Sequence, residues 1–312
     1  MNRAITSARK SLALGAALAC GCLGTAGTAH AEAFAQAILV IDNFRLLHSN
    51  GSAYNATDFT TLAGMNVAGA SASQGGTAVT APSQNINILS GSTPDIAHQF
   101  VGLPNPPRAE NDFTPFPGPT PVPGTFGYAD QYMSGSGITV GSRAAGALVQ
   151  SRADAALQAD GSAAGSSNVG TMTSFLFMLS AADTMTFAFD ATPFTQAYTT
   201  GDPSTSAMAR VTWTLNILDE AGNSVFVFAP NQLNSMSNVN RTDSFAGGTT
   251  YAPGTLAFST TTMALAANTN YRLTISQTSD ANALQATVPE PASLAIFGAG
   301  LLGMTVFLRR RG

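Results

Sequence analysis

Two histidines, a handful of carboxylates and a set of tyrosines are the side chains between positions 32 and 288 that invite a chemical reading. His48 and His98 lie 50 positions apart and have no ligand spacing. A zinc site would have to combine both with acids such as Asp42 or Asp95, and no cysteine is available between those limits to help. Two loop histidines is the simpler reading. No G-x-S-x-G nucleophile elbow occurs: Gly137 to Gly141 has Thr139 at its centre, and Gly161 to Gly165 has Ala163. Asp42, Asp183, Asp190, Asp219 and Glu220 could supply the carboxylate pair of a glycosidase. They fall in turns or at strand ends, where carboxylates are ordinarily solvated, so no catalytic residue is assigned and no enzyme is expected. Calcium needs only carboxylates and carbonyls. Asp219, Glu220 and Asn223 form the densest acidic turn, and Asp183 and Asp190 flank another strand, but no calcium-loop motif is present. A hairpin turn is the stronger reading, calcium is the one ion worth testing, and no metal ligand is assigned.

Aromatic residues raise a different chemistry. Tyrosines stack on sugar rings, and Tyr128, Tyr132, Tyr198, Tyr251 and Tyr271 are candidates. Tyr198 and Tyr251 stand out as carbohydrate-binding candidates because they lie in polar, loop-like sequence. Trp213 does not, because it sits within strict alternation and belongs to a core.

Those side chains must be positioned by strands. Val211, Trp213, Leu215 and Ile217 alternate with Thr212, Thr214 and Asn216, a period of two that buries one face of a strand. Residues 219–223 carry turn chemistry, and residues 224–228 return as the partner. Residues 37–46 read as an early strand with a bulge or edge at Asp42-Asn43. It is expected to pair with a C-terminal strand. Residues 174–179 and 185–189 read as a hairpin, and 255–263, 271–276 and 284–288 as further strands. Ala144, Ala147, Leu148, Ala155 and Leu157 give residues 142–158 a weak helical face, so one short helix is expected there. Eight prolines between 104 and 123 exclude a helix or a central strand. With Phe113, Phe116 and Phe126 as anchors, that segment reads as a long loop laid across the surface. The fold expected is all-β, a β-sandwich with jelly-roll-like character, with a large, weakly structured insertion at about 50–170.

Between positions 33 and 288 seven arginines face fifteen acidic residues, a balance of −8, and lysine is absent. This excludes a polyanion-binding role and with it nucleic acid. Both cysteines, Cys20 and Cys22, lie near the N-terminus. There Arg3, Arg9 and Lys10 precede an apolar run from Leu12 to Leu23, and Ala29-His30-Ala31 offers small residues at a cleavage site. Residues 1–31 are thus expected to be a signal peptide, with the body spanning 32–287 and free of disulfides.

The C-terminal 24 residues or so carry the most specific signal. Pro289-Glu290-Pro291 is followed by an apolar run from Leu294 to Leu308 and then by Arg309-Arg310-Arg311. Fifteen apolar residues are short for a bilayer span, and the arginines would hold that end on the cytoplasmic side. Residues 288–312 resemble the PEP-CTERM sorting tail of exported bacterial proteins. The resemblance implies an exosortase-type protease as processing partner, transient anchoring in the inner membrane by a transmembrane segment, and delivery to the cell surface or extracellular matrix. It further implies a structural or adhesive role linked to exopolysaccharide and biofilm. A specific carbohydrate-binding module is the alternative, and a surface hydrolase comes third.

Overall fold

Alternation governs the architecture. In the strand Thr205–Leu218 Val211, Trp213, Leu215 and Ile217 are all buried, at 1 % exposure or less, while the intervening residues face outward. The computed structural model describes residues 32–87, 92–117, 124–158, 161–201, 205–242 and 245–285. Its strands are β1 (Ala33–Leu47), β2 (Phe59–Gln74), β3 (Thr77–Thr80), β4 (Gln84–Asn87), β5 (Gln99–Val101), β6 (Phe126–Ser134), β7 (Ala147–Leu157) and β8 (Gly161–Leu179). They continue as β9 (Thr186–Thr199), β10 (Thr205–Leu218), β11 (Ser224–Phe228), β12 (Val239–Thr242), β13 (Gly247–Tyr251), β14 (Leu256–Thr261) and β15 (Asn270–Gln285). One sheet runs β13-β9-β1-β7-β6-β5, with β14 also on β9. The other runs β11-β10-β15-β8-β2-β3, with β12 on β10 and β4 on β2. The fold is an all-β sandwich of two antiparallel sheets.

The main core lies between the sheets. Leu39 and Ile41 of β1, Phe187 and Phe189 of β9, Phe175 and Phe177 of β8, and Trp213 and Leu273 meet there. Trp213 packs on Phe189 at 4.6 Å between ring centroids. Gly127 in β6 marks the closest approach of the sheets. A Cβ there would lie 2.3 Å from the Ala164 carbonyl oxygen and 2.4 Å from that of Ser73, so no side chain fits.

Several expectations need correction. No α-helix occurs among the described residues, and residues 142–158 contain β7 instead. The alanines of that segment carry helix propensity, a weak preference that packing overrides. Ala153, Ala155 and Leu157 face the main core, and the residues between them are buried on the other side. The expected insertion at 50–170 is likewise no appendage: β2 lies between β8 and β3, and β7 lies between β1 and β6. Small Ala, Ser and Gly side chains hide strand alternation from a hydrophobicity reading while suiting close sheet contact. β1 pairs with β7 and β9 rather than with the last strand. β8 and β9 form no hairpin, because the chain crosses between sheets after Leu179. The strands expected at 271–276 and 284–288 are one continuous strand, β15, as far as Gln285.

Candidate functional site

Two polar constellations stand out, on opposite flanks of β1. The first lies just beyond its C-terminal end. Asn55 opens a single 3-10 turn at Ala56–Asp58, and its capping box turns Asp58 back so that Oδ2 accepts from the Asn55 amide at 2.6 Å. That same oxygen lies 3.0 Å from His48 Nε2. From the connection between β8 and β9, Asp183 Oδ2 lies 2.7 Å from His48 Nδ1 and accepts from the Tyr54 hydroxyl at 3.1 Å. The His48 ring stacks on Tyr54 at 3.7 Å between centroids.

A neutral imidazole carries one N–H and one lone pair, so it cannot donate to two carboxylates. The geometry therefore defines an imidazolium between two aspartates. Burial would lower the His48 pKa, but hydrogen bonds and charge from Asp183 and Asp58 outweigh it and raise it above the usual value. At Asp183, burial pushes upward, yet donors from Ser49, His48, Tyr54 and the Thr184 amide bring it down to about 2. Both ring nitrogens are thereby committed, and His48 offers no free lone pair to act as a general base. It is a clip joining the residues after β1 to those between β8 and β9.

The second constellation lies on the outer face of β1, β7 and β6, beneath residues 104–117. Arg152 and Asp154, two apart on β7, project to the same face and are fully buried. Arg152 Nε donates to Asp154 Oδ2 at 2.6 Å, and Nη1 donates to the carbonyls of Asp112 and Thr114 at 3.0 and 2.6 Å. Gln36 on β1 donates to Asp154 at 2.8 Å and accepts from the Phe116 amide at 3.1 Å. Phe116 packs with Phe34, Phe126 and Tyr128, and the guanidinium of Arg108 stacks 4.0 Å from its ring centre. Asp130 accepts from the Asn111 amide and the Tyr128 hydroxyl, and burial raises its pKa to about 6. The proline-rich segment is thus a strap bolted to the sheet by buried polar groups and by Phe113 and Phe116.

The residues singled out from sequence are placed apart. Tyr198 on β9 packs against the Phe34–Phe116 cluster beneath the strap, whereas Tyr251 on β13 packs against the main core. They lie on opposite faces and make no common aromatic platform. His98 stacks between Phe100 and Tyr128 on the strap side, remote in the fold from the His48 clip. Asp219 is already engaged by the Asn223 amide at 2.8 Å and its side-chain nitrogen at 3.1 Å, the bonds of a hairpin turn. Asp42 and Asp190 are direct cross-strand neighbours, and Asn43 between the two register shifts of β1 has φ 54, so the suspected feature is a bulge in an interior strand. No group of three or more His, Cys, Asp or Glu among the described residues is arranged to hold a metal. A cavity of about 60 Å³ between the sheets, lined by Phe44, Phe175, Trp213, Ile275, Asn66 and Gln277, has room for a few waters.

Sequence reasoning missed Asp58, Tyr54 and the buried Arg152–Asp154 pair. An Asn-x-x-Asp capping pattern after His48, and the two-residue spacing of Arg152 and Asp154 once β7 is read as a strand, are the signals that point to them.

The sorting residues Pro289, Glu290, Pro291 and Arg309 to Arg311 lie outside the described residues, as does the apolar run expected to cross the membrane. Among the described residues no helix is long and apolar enough to span one. Comparison with known families decides what these residues are: the PEP-CTERM protein-sorting motif matches residues 287–311. The chain carries a PEP-CTERM sorting signal. That signal marks export through the inner membrane, recognition by an exosortase and sorting to the cell surface. No curated protein and no solved structure matches the chain.

Proposed function

We propose that this protein is a structural or adhesive component of the cell surface, held in an exopolysaccharide-bearing matrix, and that it acts without catalysis or a cofactor. The sorting motif carries this reading, because it directs the body to the place where such a matrix is assembled. The body suits the role. Its polar groups are spent internally: His48 on two aspartates, Arg152 on Asp154 and strap carbonyls, and Asp219 on its own turn. Its outer sheet surface is short and hydroxylic, with Thr212 hydrogen-bonded to Thr278 across β10 and β15. Such a face favours broad, weak contact with polysaccharide. A strain lacking the protein should form a surface layer that is mechanically weaker and sheds polysaccharide on washing. An unchanged layer in that strain would remove the structural role.

A further inference from the structure

Both ends of the body lie at one pole of the sandwich. Glu32 and Thr200 bond to each other twice, through the Glu32 amide to Thr200 Oγ1 at 3.0 Å and the Thr200 amide to the Glu32 carbonyl at 3.1 Å. Next to them Ala33 pairs with Leu157 on one side and Thr199 on the other. β10 starts at this pole with Thr205, which pairs with Gln285 at the end of β15, and Gln285 pairs in turn with Gly161. The His48 clip belongs to the other pole, where β1 and β8 end and β9 and β15 begin.

β15 leaves from the middle of this pole, not from an edge. β10 and then β12 lie on one side of it, and β8, β2 and β3 on the other. At about 4.8 Å per strand the body extends about 10 Å to one side and about 14 Å to the other, with the second sheet about 10 Å behind. Only Ala286, Thr287 and Val288 separate Gln285 from Pro289. Four backbone steps span at most about 14 Å. The spacer therefore cannot carry the motif clear of the folded end.

We propose that this pole faces the inner membrane and shields the sorting motif, so that the terminal rungs of β15 must open before the exosortase removes the tail. The proposal rests on the sorting reading. Opening is costly because the strand is paired on both sides: Leu284 with Ser206 and Ser162, and Ala283 with Ala207 and Ala163. Folding of the body then slows its own release, and the His48 pole points away from the membrane.

The test inserts ten Gly-Ser residues between Gln285 and Pro289 of the full-length chain, in cells that hold the processing enzyme. Tail removal is followed by pulse-chase and gel shift. The insertion lies beyond β15 and leaves the body's sequence intact. Release at least several-fold faster than that of the natural chain is expected. An equal or slower rate would overturn the shielding. A separate arm replaces Pro289-Glu290-Pro291 with alanines and should stop release at both spacer lengths. Continued release there would overturn the sorting reading, independently of the spacer comparison.

Discussion

Substituting Arg152 by alanine tests how the strap is held. The side chain is fully buried, and its loss removes the 2.6 Å bond to Asp154 together with the bonds at 3.0 and 2.6 Å to the Asp112 and Thr114 carbonyls. Asp154, itself fully buried, would keep Gln36 as its side-chain donor at 2.8 Å. Removing one partner of a buried ion pair leaves an uncompensated charge and costs about 3–5 kcal/mol. Arg152→Ala should therefore lower the urea midpoint of the mature body by that free energy. It should also open residues 104–117 to limited proteolysis, because two of the lost bonds hold the strap. The double change Arg152→Met, Asp154→Leu removes both charges while keeping apolar bulk, and should recover most of the loss. A single-mutant cost below about 1 kcal/mol, the range of an exposed pair, would refute the claim that the strap seals this network from water.

Two other perturbations probe the core and the clip. Trp213→Ala should cost about 3–5 kcal/mol in the same unfolding assay, since a ring 1 % exposed is lost from contact with Phe189 and Phe44. Thr212→Ala, which gives up only a hydroxyl contact on the outer face, should cost about 1 kcal/mol or less. His48 has a folded pKa above its ordinary 6.5, so the clip's contribution is complete below about pH 6.5 and is lost as pH rises through the raised value. Asp183 acts in the other direction, its contribution fading only as pH falls below the carboxylate range towards about 2. Amide exchange in residues 180–185 should accelerate on the alkaline side in the natural protein, and His48→Gln should abolish that dependence. An unchanged exchange profile would show that the imidazolium does not hold these segments together.

The sequence was most legible where large and polar residues alternate. Val211 to Ile217 gave β10, its turn and β11 directly, because one face needs burial and the other does not. It was least legible where both faces are buried or the side chains are small. β7 carries alanines towards one layer and Arg152 and Asp154 towards another, so neither a period of two in hydrophobicity nor a charged surface is visible. The strap was readable as a covering loop from its prolines and phenylalanines, but what it covers was not, since Gln36, Asp130 and Arg152 come from three separate strands. The same holds for the clip: His48, Asp58 and Asp183 are brought together only by the crossing of the chain between sheets. The sorting motif needed no fold at all, being read as a linear signal.

The most direct test of the proposed role is a glycan array probed with the mature protein, alongside variants at Tyr198 and Tyr251. Because these tyrosines back onto opposite faces of the β9–β13 pair, the account predicts weak binding spread over many glycans and little changed by either substitution. Saturable binding to one glycan class, with Kd below about 1 mM and abolished by either tyrosine change, would contradict it and identify the protein as a specific carbohydrate-binding module.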